Sequence, residues 1–417
     1  MQQYDTQFKK LTDIGTISRG KSKHRPRNAP ELYGGLYPFV QTGDVKHANF
    51  YITHYTQTYN EKGLAQSKLW QPGTLCITIA ANIADTAILK IPACFPDSII
   101  GFLPRENESD VRFVKYCLDT YKNEMQSISL GTTQDNLSQE KLLSLRFRIP
   151  SFKHQQKIAG FLTAYDDLIE NNQKRIELLE KIVEEIYNEW FVHFRYPGYE
   201  KDKINKGLPE GWRIFKLGDL YKTSSGGTPF REVESNYGGD VCWLKTGELK
   251  STFVLDTEEK ITQQGLENSS AKVYPKHTVI IAMYCAMPDI SILAVESATN
   301  QACCAFFPKM DFLHYTYNYM VIKAAQKHLI NFAHGAAQQN LSQALIKIFP
   351  LLTPRKELIA AFSEKAEPIF LEIEKLMQAN IGLQNIRNKL LSRLISGELS
   401  IEHLDIRFPP SMLEENS

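Results

Sequence analysis

The sequence predicts a mixed α+β protein made twice: two similar globular α/β domains separated by two long antiparallel coiled-coil helices, with pseudo-twofold symmetry. Two observations predict it. First, Gly131-Thr132-Thr133-Gln134-Asp135-Asn136-Leu137-Ser138-Gln139 returns as Gly335-Ala336-Ala337-Gln338-Gln339-Asn340-Leu341-Ser342-Gln343, with six of nine positions identical at an offset of 204 (335 − 131). Thr42-Gly43-Asp44 returns as Thr246-Gly247-Glu248 at the same offset, as do Pro104 at Pro308 and Pro150 at Pro354. A register held that far marks a duplicated unit of about 200 residues, much longer than solenoid repeats of roughly 20–50. Second, each copy is followed by a long heptad stripe.

In chain order, a globular domain spans 1–152, a spacer helix 153–195, a second globular domain 196–354, a C-terminal spacer helix 355–397 and a tail 398–417. Within the domains, Leu75 to Ala80 and Val279 to Tyr284 are short apolar runs that fit buried strands, although pattern alone leaves a helical segment open. A helix is expected near the end of each copy, around Val111–Met125 and Phe312–Phe332. The rest, rich in Gly, Pro, Thr and aromatics, suits short strands and turns.

The first stripe is Ile158, Leu162, Tyr165, Ile169, Asn172, Ile176, Leu179, Val183, Ile186 and Trp190. The second is Ile359, Phe362, Ala366, Ile369, Ile373, Leu376, Asn380, Leu383, Arg387, Leu390 and Leu394. Spacings of three and four alternate throughout, so helices are expected over about 156–193 and 359–396, each roughly 57 Å long at 1.5 Å per residue. Neither can bury its stripe alone, and antiparallel pairing would bring Asn172 near Asn380, where a buried Asn pair fixes register at a cost in stability. Phe161, Leu168, Tyr187, Phe191, Phe370 and Met377 widen the stripes beyond the narrow seam that a two-helix coil needs. That surplus would serve either a partner's helices or packing against the chain's own domains.

At 417 residues, 43% hydrophobic and 23% charged, the chain has the composition of an ordinary multi-domain globular protein. No apolar run approaches the roughly 20 residues that span a bilayer, and no export signal is visible at the start of the chain. Seven cysteines, scattered apart from the adjacent Cys303-Cys304 and with no Cys-x-x-Cys pair, suggest reduced thiols in a cytosol. The net charge of +1 is low for a nucleic-acid binder, so any such role must rest on local patches or partner subunits.

One such patch is present. Lys9, Lys10, Arg19, Lys21, Lys23, Arg25 and Arg27 face only Asp13, a local charge of +6. Such a loop can neutralise phosphates and reach base edges; an ordinary solvated loop would look the same. Within it, Gly15-Thr16-Ile17-Ser18-Arg19-Gly20-Lys21-Ser22 fits the Walker A spelling. Pro26 and Pro30 argue against the helix that a P-loop needs, and the second copy, Ser224-Ser225-Gly226-Gly227-Thr228-Pro229, lacks the lysine. There is no His-Glu-x-x-His, no Gly-x-Ser-x-Gly, and no Asp/Asn-Pro-Pro-aromatic motif of adenine methyltransferases. Two similar domains without a visible catalytic set read as a binder.

Several segments together resemble the specificity (S) subunit of type I restriction–modification systems: Gly131–Ser138 with Ile149-Pro150; Trp190-Phe191-Val192-His193-Phe194-Arg195 leading to Leu208-Pro209-Glu210-Gly211-Trp212 and Leu217-Gly218-Asp219-Leu220; Asn300 to Ala305; and Leu390 to Glu398. The resemblance covers essentially the whole chain. It departs at Ala282 to Asp289, where relatives often carry Gly at the position of Cys285, and at Ala80 to Asp85, which also lacks glycine.

The resemblance implies that each domain is a target-recognition domain reading one half of a split, asymmetric site in double-stranded DNA. The helices would set the gap and dock two methyltransferase subunits, and restriction/translocase subunits would join that core. The chain itself would hold no cofactor; S-adenosylmethionine, ATP and magnesium would belong to the partners. Local charge and matching positions in the duplicate place Lys21, Lys23, Arg25, Arg27 and Lys46 of the first domain, and Thr228, Arg231 and Lys245 of the second, on the DNA face. Gln134 and Gln338 offer donor and acceptor to adenine, yet identical residues in domains with different targets more naturally shape a loop. The surplus apolar positions Phe161, Leu168, Tyr187, Phe191, Phe370 and Met377 would meet the methyltransferase subunits. Two other classes remain open: a coiled-coil scaffold without DNA contact, and a P-loop nucleotide-binding protein.

Overall fold

A computed structural model describes residues 6–24, 26, 28–130, 138–205, 207–284, 288–335, 340–401 and 403–413. The chain divides into two compact units: Met1–Asn171 with Asn380–Ser417, and Asn172–Ala379. Both long helices are therefore shared. Each unit holds one globular domain, the start of the helix that follows it, and the end of the other helix. The domains expected as contiguous segments are folded around helix ends supplied from elsewhere in the sequence.

The globular parts have the same topology. In unit 1 a five-stranded sheet runs in the order Gly15–Arg19, Ile99–Pro104, Leu75–Thr78, Thr86–Leu89, Tyr51–Ile52. In unit 2 the order is Tyr221–Ser225, Cys303–Pro308, Val279–Ala282, Ile290–Leu293, Phe253–Val254. The central strands are buried on both faces, which is why they read as unbroken apolar runs rather than alternating ones. A four-stranded sheet follows in each: Gln57–Tyr59, Tyr33–Phe39, Ala93–Cys94, Leu69–Trp70, and Glu259–Ile261, Tyr237–Leu244, Ser297–Thr299, Val273–Tyr274. The long strand shifts register after Tyr33 and after Tyr237. There Gly34 and Gly238 both take φ +80°, a conformation that L side chains rarely adopt.

The helix expected over Val111–Met125 is two, Val111–Thr120 and Lys122–Leu130, the first capped by Asp110 accepting from the amides of Arg112 and Phe113. Its counterpart is one helix, Tyr315–Gly335. The repeated Leu-Ser-Gln is a helix start in both copies. Ser138 Oγ accepts from the Lys141 amide and Ser342 Oγ from the Leu345 amide, each opening a six-residue helix. A cap of this kind contributes about 1 kcal/mol. In the second copy that helix, Gln343–Ile348, is followed by a strand that begins at Pro350.

The long helices run Phe152–Tyr187, ending in a π-helical turn Asn188–Val192, and Lys356–Ile395, which continues through Pro368. Their pairing is antiparallel within each unit. In unit 1 Asp166 meets Arg387 and the Asn380 side chain donates to the Ile169 carbonyl at 3.4 Å. In unit 2 Arg175 bonds Glu372 at 2.8 Å while Tyr187 packs on Phe362. Ile158, Leu162, Ile169, Ile176, Val183, Phe362, Ala366 and Ile373 of the stripes are buried, as are Asn172 and Asn380. The tail also packs into unit 1: Ser411 donates to Asp167 at 2.7 Å and its carbonyl accepts from Arg112 at 2.9 Å. The described cysteines are free thiols, and all but Cys242 are buried. Among the described residues no helix is long and apolar enough to cross a membrane.

Candidate nucleic-acid interface

In unit 1 the basic loop leaves the sheet at Gly20. A side chain there would lie 2.3 Å from the Pro96 carbonyl oxygen, so only glycine lets the strand pass this close. Past that point the main chain is held at four places. The Lys21 amide donates to the Phe95 carbonyl at 3.1 Å. The Lys21 carbonyl accepts from Ser67 Oγ at 2.8 Å, and Gln66 Oε1 accepts from the amides of Lys23 and His24 at 2.5 and 3.0 Å. The loop is thus fixed through its backbone while the Lys21 and Lys23 side chains stand exposed. Neither has a carboxylate partner among the described residues.

Lys68 joins them, a residue that charge counting along the loop missed. Its Nζ lies 3.5 Å from the centre of the Trp70 ring. Burial, and the positive charge of Lys21, push its pKa below the usual lysine value. The local sequence signal was a lysine two residues before a tryptophan on a short strand, which places cation and ring on the same side. Lys46 sits in the helix Thr42–His47 and is exposed. It lines a cleft of about 450 Å³ that also takes in Lys115, Lys122 and Arg387. There Lys115 bonds Asp119 at 2.7 Å and Lys122 bonds Asp85 at 2.6 Å.

Unit 2 repeats the backbone and changes the charge. Gly226 lies against the Thr299 carbonyl as Gly20 lies against Pro96, and the Gly227 amide donates to that carbonyl at 2.9 Å. Thr228 Oγ1 donates to Gln301 Oε1 at 2.5 Å. The Arg231 guanidinium lies over the rings of Tyr237 and Trp243, at 4.6 and 5.1 Å, and bonds Glu259 at 2.6 Å. Lys245 reaches Glu259 at 2.9 Å and Glu258 at 3.2 Å. Hydrogen bonds from Arg231, then from Lys245, hold the Glu259 carboxyl below the usual range. Both predicted cations of the second domain are therefore already matched by acids, whereas Lys21 and Lys23 of the first are not. Arg25, Arg27, Gln134 and Gln338 lie outside the described residues.

The Walker A spelling is strand Gly15–Arg19 followed by residues 20–22 outside any helix or strand, and among the described residues the next helical turn is Pro30–Leu32. The segment lacks the helix whose N-terminus would cradle phosphates. Among the described residues no group of three or more His, Cys, Asp or Glu is placed to hold a metal ion.

Of the surplus apolar positions, Leu168 is exposed, Phe161 and Met377 are half-buried, and Tyr187, Phe191 and Phe370 are buried. Phe370 is enclosed by Phe253, Tyr315 and Tyr319, and Tyr187 by Phe191 and Phe362. These three rings face the chain's own unit and are not surface. The exposed apolar residues of the long helices are instead Leu168, Leu178, Ile182, Leu371, Ile381 and Ile386.

The family described as "Type I restriction modification DNA specificity domain" matches residues 4–181 and again 209–379. The chain belongs to this family. As a specificity subunit it is the non-catalytic, DNA-binding component of a type I restriction–modification complex. It is 26% identical over 413 residues to the type I restriction enzyme MjaIX specificity subunit of Methanocaldococcus jannaschii, covering 96% of this chain and 95% of that one. It is 25% identical over 470 residues to the HindI specificity subunit of Haemophilus influenzae, covering 93% and 98%. In fold it is similar to the crystal structure of the type I S subunit from M. genitalium, with a TM-score of 0.58 at 15% identity over 94% of this chain and 96% of that one.

Proposed function

We propose that each unit reads one half of a bipartite, asymmetric DNA site, and that the two long helices set the unread gap and dock two methyltransferase subunits. The observation that supports this most directly is the duplication of one topology, each copy mounted on segments of both helices. Two binding units of the same build with different surface residues are suited to two different half-sites. In the first, Lys21, Lys23, Lys46 and Lys68 meet phosphates, with Arg25 and Arg27 close by in sequence. In the second, Arg231, held flat by two rings and one carboxylate, presents its remaining donors in a fixed plane suited to a guanine edge. Thr228 and Lys245 belong to the same DNA-reading set.

The methyltransferase subunits dock on the exposed apolar residues of the helices, Leu178 and Ile182 on the first and Ile381 and Ile386 on the second among them. Restriction/translocase subunits join that core in the cytoplasm. The test is co-expression of the chain with its methyltransferase, followed by gel shifts on genomic duplexes and methylome sequencing of the host. The expected outcome is one split motif, with retardation only of fragments that contain it. Retardation independent of sequence in the assembled complex would reject the reading.

A further inference from the structure

The two units differ at one buried corner. In unit 1, Tyr116 of the helix Val111–Thr120, Asp166 of the first long helix and Arg387 of the second meet. Asp166 accepts from the Tyr116 hydroxyl through Oδ2 and from the Arg387 guanidinium through Oδ1. Tyr116 and Asp166 are buried, and the Arg387 side chain is 21% exposed. In unit 2 the same corner is apolar. The positions 204 residues after Tyr116 and Asp166 are Met320 and Phe370, and the position 204 residues before Arg387 is Val183. All three are buried in the main core of unit 2. The register is sound on every element involved. Phe113 and Tyr317, Cys117 and Val321, Leu118 and Ile322, Ile158 and Phe362, Ile169 and Ile373, and Trp190 and Leu394 are buried at both members of each pair.

Each half of the sequence contributes to both corners. The first half supplies Tyr116 and Asp166 to one and Val183 to the other; the second half supplies Met320 and Phe370 to one and Arg387 to the other. Suppose two copies of the chain paired like with like. Asp166 would then meet Val183, and Arg387 would meet Met320 and Phe370. The first strips buried Asp166 of its guanidinium partner and the second sets the half-buried Arg387 against apolar side chains without its carboxylate, and both are unfavourable. We infer that this corner is a pairing code: each half of the chain accepts the unlike half and rejects the same half of a second copy. A duplicated protein needs such a code, because the stripes on its two helices are in the same phase and, apart from Asn172, Asn380 and Arg387, almost wholly apolar.

The test uses the full chain. Tyr116→Met/Asp166→Phe/Arg387→Val gives both corners the apolar set. The single changes Asp166→Phe and Arg387→Val are each expected to lower the unfolding midpoint by roughly 5–10 °C, because each orphans a buried partner. The triple change should recover most of that loss. A reporter pair, Leu168→Cys/Arg175→Cys, detects like-with-like pairing. The two positions lie on one helix, seven residues apart, and in a like pair each faces the other residue of the second copy, as Arg175 faces Glu372 in unit 2. After refolding and mild oxidation, the triple variant should give interchain disulfide on the order of a hundredfold above the otherwise unchanged reporter chain. Equal yields, or none in the triple variant, overturn the proposal. Should the triple variant fail to fold, Val183→Arg/Met320→Tyr/Phe370→Asp installs the polar set in both corners and should give the same crosslink. If neither variant folds, the corners are not interchangeable and the proposal falls.

Discussion

If the long helices measure the unread gap, lengthening them must lengthen the gap by a calculable amount. The helices contain 36 and 40 residues, about 54 and 60 Å at 1.5 Å per residue. The chain passes from one unit to the other between Asn171 and Asn172, and again between Ala379 and Asn380, so these are the places to insert. Seven residues in each helix preserve the heptad seam and add about 10 Å, or about three base pairs at 3.4 Å. Three base pairs also turn the second half-site by roughly 100° about the DNA axis, since B-DNA repeats every 10–10.5 base pairs. A seam-preserving insertion hardly rotates the helices, so the second recognition unit would meet the wrong face of the duplex. Three heptads in each helix avoid this. They add about 31 Å, or nine base pairs, close to one DNA turn. The 21-residue insertion should therefore methylate sites whose gap is nine or ten base pairs longer, with both half-sites unchanged, while the seven-residue insertion is much weaker. Methylome sequencing of cells carrying each subunit reads the outcome directly. An active complex with the long insertion that still modifies the original spacing would show that the helices are a docking scaffold and not a ruler.

Other consequences are as direct. Replacing Lys21, Lys23 and Lys68 by Gln should weaken DNA binding without changing the preferred motif and reduce the slope of log K against log salt by about 0.9 per lost phosphate contact; an unchanged slope removes these residues from the DNA face. Glu259→Gln frees Arg231 from its carboxylate and leaves Lys245 with Glu258 alone, so affinity for non-cognate duplex should rise and become more salt-sensitive, whereas no change would place both cations away from DNA. His277 is stacked on Tyr315 at 4.1 Å, and burial, then the charge of Lys276, hold its pKa below the usual 6.5. The unfolded chain binds that proton more readily, so stability is full above about pH 6.5 and falls as the pH drops toward the depressed value. His277→Asn keeps a residue that tolerates φ +68° and should flatten the melting midpoint between pH 7.5 and 5, an effect absent if another group dominates. Ser138→Ala and Ser342→Ala should each cost about 1 kcal/mol in denaturant unfolding; no loss would mean the caps are replaced by water.

The sequence by itself determined the duplication, the two long helices and the family, because each depends on patterns along the chain. An offset of 204 survives in short motifs, a heptad stripe needs only three- and four-residue spacing, and Leu75–Thr78 and Val279–Ala282 announce buried strands by unbroken apolar residues. The Ser138 and Ser342 caps were legible too, as Leu-Ser-Gln before an apolar run, but resemblance to a loop signature obscured them. Tertiary structure decided what charge and hydrophobicity mean at each place. Arg231 and Lys245 looked like free cations until Glu259, at the start of a neighbouring strand, and Glu258 just before it were brought to them. Lys68 gained its setting from Trp70 and Lys21. Tyr187, Phe191 and Phe370 lay on the widened stripe, but only the fold could show that the chain's own domain covers them, since both outcomes require the same apolar residues. The division into units was likewise invisible in one dimension. Each long helix serves two cores, and which end packs on which domain is set by contacts such as Asp166 with Arg387, more than 200 residues apart in sequence.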